Sequence, residues 1–336
     1  MSRKEKQQEN LPWVEKYRPR KVTDVAHQAE VVRVLQRAVE SANLPHLLFY
    51  GPPGTGKTST ILAMAKTLYS PTTFRQRVLE LNASDERGIN VVRSKIKDFA
   101  STAVSSKQSE GYPSPPYKII ILDEADAMTN DAQSALRRTM EQFSTVTRFC
   151  IICNYVSRII QPLASRCAKF RFKPLEAESM VERLRFICEQ EKVEADEEAM
   201  QAVVRCSGGD MRKAVTLLQS AHQYGPDGVT AAAVFELSSV VPDEEMAALM
   251  QSTATVNFEN VKSQVTNIVA AGYPASQILA QVHDLVLADT SMSDKQKGVV
   301  MEQVARADDC LADGADDFLQ LMSTMTMVME ARALRQ

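Results

Sequence analysis

Lys57 stands at the end of Gly51-Pro52-Pro53-Gly54-Thr55-Gly56 and is followed by Thr58 and Ser59, an order suited to holding a polyphosphate. Gly51, Gly54 and Gly56 let the backbone turn successive N–H groups inward, and Lys57 can reach the β- and γ-phosphates. The Thr58 hydroxyl can ligand Mg²⁺. A second cluster, Asp123-Glu124-Ala125-Asp126, supplies what the loop lacks. Asp123 can hold the Mg²⁺ water shell, and Glu124, pointing the other way, can polarise a water for attack on the γ-phosphate. The chemistry these residue types suit is Mg²⁺-assisted attack of water on a γ-phosphate.

These side chains need elements to position them. His46–Tyr50 is an apolar run of strand length, and Ile61, Leu62, Ala65 and Leu68 recur at helical spacing over Thr58–Leu68. The loop therefore joins a strand to a helix whose positive end adds to its pull on phosphate. A helix over Ala29–Ala42 precedes that strand. Val78–Asn82 reads as a second strand, and residues 83–88 as a turn opening a helix from about Asn90. Tyr117–Leu122 is a continuous β-branched run, as expected of a strand buried on both faces of a parallel sheet. That places Asp123 and Glu124 at a strand's carboxyl end, where α/β sheets bind ligands.

A helix over Asp131–Phe143 and strands over Arg148–Asn154 and Phe170–Phe172 complete this part. Asn154 either orients the lytic water, contacts the γ-phosphate or simply caps its strand. Leu11–Pro19, with two prolines, argues for an extended path across a surface, and Ser101–Pro116 for an exposed connection. Beyond Pro174 the periods are helical. Asp210 is a suitable N-cap that puts Arg212 in a first turn, where it can swing toward phosphate. Met322, Met325 and Met329 fit the packed face of a helix bundle.

Composition sets bounds. At 336 residues with 44% hydrophobic residues the chain supports two or three globular domains. Residues 1–10 are almost wholly polar and read as a disordered tail, and no apolar run approaches a membrane span. The six cysteines fit a reducing compartment. Cys150 and Cys153 form a C-x-x-C within a strand, where positions three apart face opposite ways, which argues against zinc. The net charge of −3 conceals a polarity: residues 1–173 carry 27 Lys and Arg against 16 Asp and Glu, and residues 174–336 carry 12 against 26. Such asymmetry suggests that the first part meets a polyanion.

Six stretches together carry a family resemblance: Val14-Glu15-Lys16-Tyr17-Arg18-Pro19, the phosphate loop, Leu81–Gly88, Asp123–Asp126, Ser165-Arg166-Cys167 and Gly209-Asp210-Met211-Arg212. They closely resemble the small subunits of eukaryotic replication factor C. Within that family Cys153–Ile160 is most similar to the branch called subunit 4 in animals and subunit 2 in budding yeast. The resemblance implies an α/β fold, an AAA+ P-loop module with a parallel sheet at 11–173, followed by a helical lid at 174–238 and a helical collar for oligomerisation at 239–336.

It further implies five different subunits, one large and four small, that open the PCNA sliding clamp and close it around primer–template DNA in the nucleus. In the family's pattern Arg166 acts in trans on a neighbour's ATP, Arg212 in cis as sensor 2, and Asn154 as sensor 1, with Val14 and Arg18 at the adenine end. DNA would meet the first turns of the helices starting near Asn90 and Asp131, through Arg87, Arg93 and Lys95. The clamp would meet the end of the first of these helices, around Phe99–Val104. Two other readings stand beside this one: a homohexameric AAA+ motor that hydrolyses ATP alone, and a nucleotide-binding scaffold without turnover.

Overall fold

The computed structural model describes residues 11–19, 29–40, 43–83, 89–102, 111–225 and 228–333. The expected tail at 1–10, Arg87 and the side chain of Arg93 lie outside the described residues, as do 103–110 of the expected exposed connection. The chain divides into two compact units, residues 1–219 and 220–336.

Among the described residues the first unit has helices α1 (Trp13–Lys16) and α2 (Ala29–Glu40), then β1 (Leu47–Tyr50), α3 (Lys57–Leu68), α4 (Phe74–Arg77), β2 (Val78–Asn82) and α5 (Ile89–Ser101). After β3 (Lys118–Asp123) come α6 (Asn130–Phe143), β4 (Thr147–Cys153), α7 (Gln161–Ala164) and β5 (Ala168–Arg171). Helices α8 (Ala177–Glu191) and α9 (Glu197–Ser207) follow, and α10 (Met211–Tyr224) begins within this unit. The five strands are parallel in the order β2-β3-β4-β1-β5, with Leu47 opposite Cys150 on one side and Ala168 on the other.

Alternation along the strands builds two cores from one sheet. Leu47, Phe49, Ile119, Ile121, Cys150 and Ile152 pack with Ile61, Met64 and Leu68 of α3 on one face. Leu48, Ile120, Leu122, Phe149, Ile151 and Cys153 pack with Leu136 and Met140 of α6 on the other. Cys150 and Cys153 thus point to opposite faces, and burial pushes the Cys153 thiol up to about 12. Burial of the interior β3, buried over Lys118–Leu122, accounts for its unbroken apolar pattern.

One expectation is corrected. Leu11–Pro19 is not extended throughout: Trp13–Lys16 forms a helical turn, and the Pro12 carbonyl accepts from both Glu15 N and Lys16 N at 2.9 Å. Proline restricts the residue before it, so Pro12 and Pro19 constrain Leu11 and Arg18 and leave the turn between them free to coil. Burial of Trp13 then holds it there.

The second unit is helical: α11 (Ala231–Ser238), α12 (Asp243–Ser252), α13 (Phe258–Ala270), α14 (Ala275–Ala288), α15 (Asp294–Ala312) and α16 (Asp317–Ala333). Met322, Met325 and Met329 are buried in its core beside Val265, Val282 and Val300, so the methionine face is packing. Arg332 ties the bundle's end together, donating to the carbonyl of Met250 at 2.7 Å and to Asp289 Oδ2 at 2.8 Å.

Candidate nucleotide site

The phosphate loop fits its place because it lacks side chains at two close approaches. Gly51 has φ +147°, and a Cβ there would lie 2.1 Å from the carbonyl oxygen of Phe172. Gly54 has φ +67°, and its Cβ would lie 1.7 Å from Asp210 Oδ1. Only glycine leaves room for both neighbours.

Lys57, the first residue of α3, is 7% exposed. Its ammonium donates to the carbonyls of Gly51 and Pro52, each at 2.7 Å, and to Asn154 Oδ1 at 2.9 Å. Burial lowers the Lys57 pKa, an effect opposed by the nearby Asp123 carboxylate. Thr58 Oγ1 donates to Asp123 Oδ2 at 2.6 Å, so a hydroxyl and a carboxylate from elements 65 residues apart converge on one point. That is a hard-oxygen pair of the kind Mg²⁺ takes, and the residues fit the ion.

Glu124 is exposed and held in a left-handed conformation, φ 54° and ψ 38°. A non-glycine residue there costs about 1–2 kcal/mol. Its own N–H donates to Asp123 Oδ1 at 2.9 Å, and the short turn Ala125–Ala127 follows at once. Asp126, the middle residue of that turn, accepts the backbone N–H groups of Asn154 and Tyr155, each at 3.1 Å.

One cavity of about 430 Å³ gathers these groups. Val14, Arg18, Pro53, Gly54, Thr55, Gly56, Lys57, Thr58, Ser59, Asp123, Glu124, Asn154 and Arg212 all line it. Gly51 and Pro52 stand behind it, supplying carbonyls to Lys57. The N-terminal segment closes one side: Arg18 Nε donates to Ser59 Oγ at 3.3 Å, Arg183 to the Tyr17 carbonyl at 2.8 Å, and Trp13 N to Gln219 Oε1 at 3.0 Å. Lys16 pairs with Glu191 at 2.5 Å, and the Tyr17 hydroxyl donates to the same carboxylate.

Opposite, Asp210 caps α10, its Oδ1 accepting from Arg212 N at 2.8 Å and Lys213 N at 3.1 Å. Arg212 is thereby fixed in the first turn and lines the cavity. Arg166 does not line it. Its guanidinium instead donates to the Pro162 carbonyl at 2.6 Å and pairs with Glu141 at 2.5 Å. Lys95 is exposed on α5.

Several lining residues escaped the sequence reading. Leu175, Ile187, Met211 and Val215 form the cavity's apolar wall, and Arg183 stands beside them. In sequence Ile187, Met211 and Val215 share the helical period of ordinary core residues, so no local signal separates them from packing. Asp126 was visible as part of an acidic run, but its partner lies 28 residues away. Gln133 is fully buried, donating to the carbonyls of Met128 and Arg158 and accepting from Ile160 N at 2.8 Å. A glutamine amid an otherwise apolar helix face was the available clue.

Comparison with known proteins agrees with this geometry. Residues 47–175 match the family model described as ATPase family associated with various cellular activities (AAA). Residues 182–222 match an RCF1/5-like AAA+ ATPase lid domain, and 241–326 the replication factor C C-terminal domain. Replication factor C subunit 2 of Oryza sativa subsp. japonica is 53% identical over 95% of this chain and 94% of its own length. Replication factor C subunit 4 of Homo sapiens is 52% identical over 95% and 88%, and subunit 2 of Saccharomyces cerevisiae 48% over 95% and 93%. Among solved structures, the RuvB Holliday junction branch migration motor of Thermotoga maritima superposes with a TM-score of 0.51 at 16% identity, over 79% of this chain and 91% of that one. At that identity the likeness concerns the fold.

Proposed function

Since the chain belongs to the replication factor C small-subunit family, in the branch of subunits 2 and 4, we propose that it works as an ATP-hydrolysing subunit of a heteropentameric clamp loader. The loader opens the PCNA sliding clamp and sets it on primer–template DNA, in the nucleus, during replication and repair. The chain itself is an AAA+ ATPase. Residues 11–173 form the ATPase core, 174–238 the lid and 239–336 the collar through which subunits join.

The observation that carries this reading is the convergence of Lys57, Thr58, Asp123, Glu124, Asn154 and Arg212 on one cavity, while Arg166 is held elsewhere. ATP lies with its base toward Val14 and Arg18 and its phosphates on Pro53–Ser59. Lys57 exchanges its loop carbonyls for phosphate oxygens. Thr58 and Asp123 hold Mg²⁺, which when bound neutralises charge on the β- and γ-phosphates. Glu124 takes a proton from the attacking water, and Asn154 orients that water or the γ-phosphate. Arg212 steadies the phosphates in cis. Arg166 supplies transition-state charge at the site of a neighbouring subunit. Arg87, Arg93 and Lys95, at or near the start of α5, meet the DNA backbone without reading sequence, and the end of α5 meets the clamp.

Steady-state ATP hydrolysis tests the reading, with the chain alone and then assembled with the large and other small subunits, with and without primed DNA and clamp. Turnover that requires the mixed assembly and rises with DNA and clamp together supports it. Vigorous turnover by the chain alone, indifferent to clamp, points to a self-assembling motor.

A further inference from the structure

Glu141 occupies the last turn of α6, a helix of 14 residues with no basic residue in that turn. A carboxylate there faces the negative end of the helix dipole, an unfavourable placement unless cations offset it. Two do. Arg137, one turn back, brings its Nε to 3.7 Å, and Arg166 brings a terminal nitrogen to 2.5 Å. The other terminal nitrogen of Arg166 donates to the Pro162 carbonyl at 2.6 Å. The guanidinium is therefore bridged between the end of α6 and the first turn of α7.

An arginine with an unrestrained stem samples many rotamers, and fixing it costs about 2 kcal/mol. Arg166 is 38% exposed at its side chain, so packing alone does not fix it. The two oxygen acceptors do, and each occupies one terminal nitrogen. A guanidinium carries five N–H donors, which leaves others free to face outward. We propose that Glu141 is a positioning residue for Arg166: it holds the guanidinium at the angle from which its remaining donors meet a neighbouring subunit's nucleotide. This rests on the reading of Arg166 as a trans-acting group.

The placement also links two sites through one element. α6 begins at Asn130, shortly after Glu124 and the Ala125–Ala127 turn, and its 14 residues span about 21 Å to its far end.

The test uses the full heteropentamer in which only the neighbour's site turns over, carrying Glu141→Ala, Glu141→Gln, Arg166→Ala or Glu141→Ala with Arg166→Ala, with assembly checked by size-exclusion chromatography. Glu141→Ala is expected to lower the neighbour's kcat by roughly three- to tenfold with KM within about twofold. Glu141→Gln, which keeps an oxygen acceptor, should restore most of that loss. The double variant should be no slower than Arg166→Ala alone. An unchanged kcat in Glu141→Ala, or a double variant slower than Arg166→Ala, overturns the assignment. If Arg166→Ala itself leaves the neighbour's rate intact, the trans reading fails first, and the two failures are told apart.

Discussion

Asp126 Oδ2 accepts the backbone N–H of Asn154 at 3.1 Å, and through it the acidic turn after β3 fixes the residue that closes β4. Asn154 in turn accepts from Lys57 at 2.9 Å. The last acidic residue of the run thus acts on the phosphate site indirectly, by holding the strand end that faces it. Replacing Asp126 by Ala should lower kcat by about tenfold while ATP affinity stays within a few-fold, because a small misplacement harms the transition state more than binding. Asp126→Asn retains an acceptor oxygen and should lose much less. Single-turnover hydrolysis alongside equilibrium nucleotide binding reads both.

Glu124 invites two substitutions that separate its catalytic role from its backbone strain. Glu124→Gln should bind ATP normally and lose turnover by at least about a hundredfold, since the proton acceptor goes while the Mg²⁺ and phosphate contacts stay. Glu124→Gly should be equally inactive yet hold its fold as well or better, by up to about 1 kcal/mol, because glycine relieves the left-handed strain at φ 54°. Thermal unfolding of the two inactive variants compares them directly. A lower Tm for Glu124→Gly than for Glu124→Gln would count against strain at this position.

Gly54 and Asp210 should couple. Gly54→Ala places a methyl 1.7 Å from the Asp210 carboxylate and forces a left-handed alanine, so nucleotide affinity is expected to fall about tenfold or more. Asp210→Ala alone removes an N-cap and costs about 1 kcal/mol. Together they should be less damaging than their sum by about 1 kcal/mol or more, because the second opens the space the first needs. Strict additivity in a double-mutant cycle on ATP binding would show that the two do not meet in solution.

Lys118 begins β3 with its side chain buried, donating to the carbonyls of Phe99 at 2.7 Å and Thr102 at 2.6 Å and lying 4.8 Å from the centre of the Phe99 ring. It caps the carboxyl end of α5 from inside the sheet. Lys118→Met should destabilise the first unit by about 1–3 kcal/mol and speed amide exchange at the end of α5 ahead of the rest of the unit. Uniform exchange across the unit would deny the cap.

His46 carries a pH dependence. Its Nδ1 accepts from Phe149 N at 3.1 Å, and burial, assisted by the Arg148 charge, lowers its pKa from 6.5 to about 4. The unfolded chain takes up a proton near pH 6.5 and the folded chain resists until about pH 4, so stability is lost as pH falls through that interval. Tm measured from pH 7.5 down to 5 should decline less steeply in His46→Asn, which keeps an acceptor without the titration. Parallel slopes would remove His46 as a source.

Much of the site was legible because its parts are local. A glycine's freedom of φ, the alternation of β3 and β4, and an N-cap two residues before Arg212 are set by neighbours in sequence, so the loop, the strand ends and the first turn of α10 could be read directly. The same locality put Cys150 and Cys153 on opposite faces of β4. It failed at Trp13–Lys16, where flanking prolines left the turn undetermined and the burial of a distant-packing tryptophan decided it. Only the parallel crossovers could bring Thr58 to Asp123, Asn154 to Lys57 and Arg166 to Glu141, and only the packing of the helices after β5 could bring Asp210 to Gly54. A side chain's type fixes what it can bind, but the partner it meets across tens of residues is chosen by the order in which the strands are laid into the sheet.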